Sequence, residues 1–182
     1  LEGESCVQAA YEALLQGDFE AAAIWFVRAV EAEPDNPSYY FRGSVTLARS
    51  GKLGQALRYA KRAVELAPEE TSYALQLRLL QAREKIAEAE RLLALTPPKP
   101  EPAIELLAEA FRLDPLAAKA KLLLGIAHRM SGDERRAREA LREALALNPQ
   151  YEEANKLLRE WQAEQRWLFE WKRDPTNRTR DR

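Results

Sequence analysis

The sequence predicts an all-α chain assembled from repeated helical hairpins, and three observations carry that expectation. β-branched residues are scarce, with 5 Val, 4 Ile and 5 Thr in 182 residues against 31 Ala, a composition that suits helices far better than pleated sheets. Four steps into proline, Glu33-Pro34, Ala67-Pro68, Asp114-Pro115 and Asn148-Pro149, each close an apolar helical pattern, at separations of 34, 47 and 34 residues. A fixed period of this length marks a repeat architecture. Between the prolines, Gly17-Asp18, Gly51-Lys52 and Gly132-Asp133 each stand 17 residues ahead of their Pro, where a left-handed Gly ends one helix before the next begins.

The elements follow in order. Repeat 1 covers residues 3–36 and repeat 2 covers 37–70, each a hairpin turning at its Gly and closed by its Pro. Small residues recur across the turns: Ala10 with Ala22, Ser44 with Ala56, and Gly125 with Ala137, always 12 apart, followed by Ala29, Ala63 and Ala144. Side chains of this size let helix axes approach to about 8–10 Å. Repeat 3, residues 71–117, carries 13 extra residues. Nothing breaks the helix from Thr71 to Leu95, and Leu75, Leu79, Ala82, Ile86, Ala89 and Leu93 draw one apolar stripe. An extended first helix is therefore expected to project about 16 Å beyond its hairpin. Its return path, Thr96 to Pro102, holds four prolines and is expected to lie back along the helix as a polyproline strap covering Ile86, Ala89 and Leu93.

Repeat 4 spans 118–150, and 151–173 is expected to cap the stack, because each repeat buries a face on its neighbour and the last one needs cover. Ala154, Leu157, Leu158, Trp161 and Leu168 fall within about 60° of one helical direction. Phe169 and Trp171 flank that face and Trp167 lies opposite it, so Trp167 and Trp171 are candidates for a second contact surface. Residues 174–182 form a polar tail.

Composition also narrows the function. A formal charge of −1 argues against nucleic acid as a ligand, since phosphate binding depends on an excess of Lys and Arg. With one His and one Cys, the chain has few groups for catalysis or metal binding. His128 reads as a packing residue and Cys6 as a small buried one. Phosphate-cradling glycine loops are absent, and no cofactor or metal site is expected. A lone Cys and the lack of an 18-residue apolar run fit a cytoplasmic protein with no membrane insertion. Nothing in the sequence calls for a homo-oligomer.

The combination of marks resembles the tetratricopeptide repeat (TPR) family. Repeat 4 matches best, through Leu124-Gly125, His128, Gly132-Asp133, Ala137, Leu141, Ala144 and Pro149. Repeat 1 matches through Gly17-Asp18-Phe19, Ala22, Phe26, Ala29 and Pro34, and repeat 2 through Tyr40, Ser44, Leu47, Gly51, Ala56, Ala63 and Pro68. The departures are Gly43, where Leu is usual, and Arg78, where a small residue is usual. The resemblance implies four helical hairpins and a capping helix wound into a right-handed TPR superhelix that acts as a non-catalytic protein-protein interaction scaffold.

In that family the first helix of each repeat lines the concave groove. The resemblance therefore implies a partner-binding groove formed by Tyr11, Phe41, Arg42, Val45, Arg49, Leu79, Arg83, Lys119, Leu122, Ile126 and Arg129. Guanidinium groups beside apolar patches favour an acidic, amphipathic peptide segment, extended or helical. The clamp by which one branch of the family grips chaperone C-termini is missing, with Glu4, Gln8, Arg42, Arg78 and Ala82 near its places. Two further readings are a regulatory arm of a larger enzyme and a helical-repeat RNA binder; the second rests on Arg supplying 20 of the 28 basic residues.

Overall fold

A computed structural model describes residues 2–173. Among the described residues every regular element is an α-helix: α1 (Glu2–Leu15), α2 (Phe19–Ala32), α3 (Pro37–Arg49), α4 (Leu53–Leu66), α5 (Thr71–Leu93), α6 (Pro100–Leu113), α7 (Ala118–Met130), α8 (Glu134–Leu147) and α9 (Glu152–Arg173). The chain divides into two compact units, one running through Lys85 and one beginning at Ile86. The division falls inside α5.

Three of the hairpin turns form as their glycines dictate. Gly17, Gly51 and Gly132 adopt φ of 75°, 80° and 83°, a region that a Cβ disfavours. The residue after each Gly donates its N–H back across the helix end, Asp18 to the Ala13 carbonyl, Lys52 to Leu47 and Asp133 to His128, all at 2.9 Å. These are the helix-terminating bonds expected of a left-handed glycine. Asp18 and Asp133 then cap the following helix, each carboxylate accepting at 2.9 Å from the N–H of Ala21 or Arg136. Lys52 has no capping oxygen and instead pairs with Glu20. The Asx-type cap recurs at Asn36, whose Oδ1 accepts from Ser38 N–H at 3.2 Å ahead of α3.

Both units bury the small residues that the repeat placed at crossing points. Ala10, Ala22, Ala29, Ser44, Ala56, Ala63, Ala137 and Ala144 are inaccessible to solvent. The N-terminal unit contains two clusters, Val7, Ala10, Phe26 and Ala29, then Ala23, Leu47, Ala56, Leu57, Ala60 and Leu80. In the second unit Leu122, Ala137, Leu141, Ala144, Ala154 and Trp161 pack together. Gly43 is explained by Tyr59: a Cβ there would lie 2.9 Å from its ring, so the tyrosine fills the volume that a larger residue at 43 would take.

The insertion departs from expectation in its second half. The extended helix is present, but α5 ends at Leu93, not Leu95, and α6 begins at Pro100, not Pro102. Pro100 and Pro102 sit in the first turn of α6, where a missing N–H costs nothing, so the helix absorbs half of the intended strap. The remainder, 94–99, is solvent-exposed throughout and is closed by the Lys99 N–H donating to the Leu92 carbonyl at 3.0 Å. It is a turn, and it does not cover the apolar stripe of α5. The capping assignment holds for the first half of α9, where Ala154 and Trp161 are buried and Leu157 and Leu158 pack against the cluster. The side chains of Leu168 and Phe169 and the tail 174–182 lie outside the described residues.

Candidate functional site

In the N-terminal unit the expected groove residues remain available to solvent or are stacked at its surface. Along α3, Arg42, Val45 and Arg49 recur at steps of three and four and so share one face. The Arg42 guanidinium lies 5.8 Å from the ring of Tyr11 on α1, and Arg49 lies 5.7 Å from Phe19. Both distances fall within cation–π range. Tyr11 is exposed and meets Phe26 edge-on at 6.1 Å. Phe41 stacks on Tyr73 of α5, with ring centroids 4.8 Å apart. Leu79 is half-buried and Arg83 is exposed.

The three arginines of this face, Arg42, Arg49 and Arg83, have no ion-pair partner among the described residues. Sequence reasoning missed two members of the arrangement, Phe19 and Tyr73. Both stand just inside helix N-termini, Phe19 directly after the Gly17-Asp18 turn and Tyr73 two residues after Thr71, and that placement was the available signal.

The second unit treats its predicted groove residues differently. Leu122 is 1% exposed, so its expected place at a ligand surface is corrected: Ala154 and Trp161 of α9 cover it as core. Ile126 packs against the same cluster. Arg129 pairs with Glu164 of α9 and lies 4.9 Å from the Trp161 ring. Lys119 pairs with Glu90 at 2.7 Å. Each cation here is already matched within its own unit.

Trp167 is 62% exposed and Trp171 42%, with their rings stacked at 6.5 Å. His128 is half-buried, and burial is the main cause that holds its imidazole below the ordinary value; Arg136 adds to the shift and Asp133 opposes it. Cys6 is half-buried beside the Val7 cluster. No group of three or more metal-ligating side chains assembles among the described residues, and no helix there is long and apolar enough to cross a membrane.

A family model for the tetratricopeptide repeat matches residues 7–71 and 99–152, together more than half of the chain. The chain belongs to the tetratricopeptide repeat family. The unmatched stretch between the two TPR segments contains most of α5 and its turn, which is where the 13-residue insertion falls. A search of curated protein sequences finds no match. Solved structures with the same fold include YrrB, described as a TPR protein with an unusual peptide-binding site: 21% identity, TM-score 0.51, covering 85% of this chain and 73% of that one. MamA residues 41 to the end from Desulfovibrio magneticus RS-1 gives 18% identity and a TM-score of 0.51 over 86% of this chain and 81% of that one. A second MamA structure gives 20% and 0.50 over 86% and 79%. As a TPR protein, this chain is a protein-protein interaction scaffold.

Proposed function

We propose that this TPR scaffold is non-catalytic and binds an acidic, amphipathic peptide segment on the first-helix face of its N-terminal unit. Arg42, Arg49 and Arg83 receive its carboxylates, and Tyr11, Phe41, Val45 and Leu79 receive its apolar side chains. One observation carries this reading: those three arginines have no carboxylate partner among the described residues, whereas Lys119 and Arg129 of the second unit are paired internally. Exposed guanidinium groups beside aromatic rings form paired hydrogen bonds to carboxylates and keep their stacking. The description of YrrB as peptide-binding supports a peptide as the ligand class.

The test is fluorescence anisotropy with two dye-labelled peptides of identical apolar spacing, one carrying Glu and the other Lys at its polar positions. The Glu peptide is expected to bind, more weakly as salt rises. The Arg49→Glu, Arg83→Glu protein should lose at least about tenfold in affinity, as expected when charge pairs become like-charge contacts. Equal binding by a double variant of unchanged circular dichroism would sink the model.

The exposure of Trp167 supports a second contact surface on α9. Loss of a captured partner on Trp167→Ala, with thermal stability unchanged, is its signature.

A further inference from the structure

Helix α1 is acidic on the side it leaves open. No Lys or Arg precedes Arg28, whereas the same stretch holds Glu2, Glu4, Glu12, Asp18 and Glu20. Two of these five are used within the unit, Asp18 as the cap of α2 and Glu20 as the partner of Lys52. Glu4 and Glu12 are exposed on α1, and no cation comes within ion-pair distance of either among the described residues. At 100° per residue Glu4, Gln8, Glu12 and Leu15 fall within about 80° of one another. All four are exposed, opposite Val7, Ala10 and Ala13, which α1 buries. Leu15, at 89%, is the most exposed large apolar side chain among the described residues. The open face of α1 thus sets carboxylates beside an apolar side chain that nothing covers in the single chain.

The same unit holds the complement. Arg42 and Arg49 of α3 and Arg83 of α5 lack carboxylate partners among the described residues. Half-buried Val45 stands between the first two on α3, and half-buried Leu79 one turn before the third on α5. The spacings agree as well. Arg42 and Arg49, seven residues apart, are separated by about 10 Å along α3, and Glu4 and Glu12, eight apart, by about 12 Å along α1. Side chains as long as Arg and Glu close a difference of that size, so two carboxylates of one helix can meet two guanidinium groups of the other with both helices straight.

We propose that the acidic face of α1 in one copy of this chain docks on the arginine face of a second copy. This contact rests on the acidic-peptide reading of the arginine face and identifies the helix that fills it. Glu4 and Glu12 meet the guanidinium groups of Arg42 and Arg49 in charge-assisted hydrogen bonds, Arg83 adds positive potential beside them, and Leu15 joins the apolar residues of that face. The formal charge of −1 sets almost no net repulsion between copies, so the local complementarity decides. The two faces are built from different residues, and a variant that loses one of them keeps the other.

The test is sedimentation velocity of the full chain across a range of protein and salt concentrations. Wild type is expected to associate as its concentration rises, and less so as salt rises. Glu12→Arg, Leu15→Lys should weaken association by at least about tenfold, and so should Arg49→Glu, Arg83→Glu, because each sets like charges against each other. Cations are favoured near the C-terminus of α1, so the first variant is expected to keep the wild-type circular dichroism. The two variants are then mixed. Each retains the face that the other has lost, so the mixture should associate where neither variant does alone, a recovery that also shows both to be folded. Arg58→Glu, Lys61→Glu makes the same change of charge at exposed positions of α4 and should leave association at the wild-type level. A monomer at every concentration would overturn the proposal, as would a mixture that stays monomeric or association that survives either pair of face substitutions. The Glu peptide separates this contact from the reading beneath it: a monomeric chain that still binds the peptide overturns self-docking alone, whereas a monomeric chain that binds no Glu peptide overturns both.

Discussion

A Cβ added at Gly125 would lie 2.9 Å from Leu141 Cδ2 and 3.1 Å from the Ala137 carbonyl oxygen, while one added at Gly54 meets nothing within 4 Å. The two helical glycines are therefore opposites. Gly125→Ala should destabilise the chain by about 1–3 kcal/mol through overpacking, and Gly54→Ala should stabilise it by about 0.4–1 kcal/mol by restricting the unfolded chain. Denaturant melts of both variants check the contrast. His128 gives a pH test. Its folded imidazole titrates below the unfolded value of 6.5, so as pH falls the unfolded chain takes up its proton first and stability declines. His128→Asn should remove that part of the decline just below the unfolded value. The readout is the difference between wild-type and variant melts at pH 7.5 and 5.5, and a constant difference would refute the assignment.

Among the elements, α9 does two jobs with one half. Trp161 is buried on Leu122 and Leu141, and the same ring lies beneath Arg129, whose partner Glu164 sits one turn further on. Trp161→Ala should cost about 3–5 kcal/mol, with hydrogen exchange faster in α7 and α8 and unchanged in α1 to α4. Most of the helices were legible in the sequence because their stop signals are local: a Gly at three of the four hairpin turns and a Pro after each second helix need no tertiary knowledge. The end of α5 was not. Pro100 and Pro102 read equally well as strap or first turn, and the choice depends on where α6 finds packing for Ala103 and Leu107. Leu122 failed for a related reason. Its register on α7 is that of a groove residue, and only the docking of α9 turns it into core.

For the molecule as a whole, the charge balance conceals an asymmetry. A net charge of −1 left no sign of where unpaired cations sit, because pairing depends on neighbours in space: Lys119 finds Glu90 and Arg129 finds Glu164, while Arg42, Arg49 and Arg83 find no carboxylate within ion-pair distance among the described residues. The arginine reversals proposed for the first-helix face should therefore weaken peptide binding by at least about tenfold, whereas Arg129→Glu should chiefly lower stability.

The boundary inside α5 has a consequence for biogenesis. Every residue of these two N-terminal clusters precedes Ile86, the last of them being Leu80, so both clusters can close once Leu80 has left the ribosome. Domains that complete early fold as units during synthesis. A nascent chain arrested shortly after Leu80 emerges should already resist protease across α1 to α4. Its arginine face would then be on offer to a partner while the second unit is still being made.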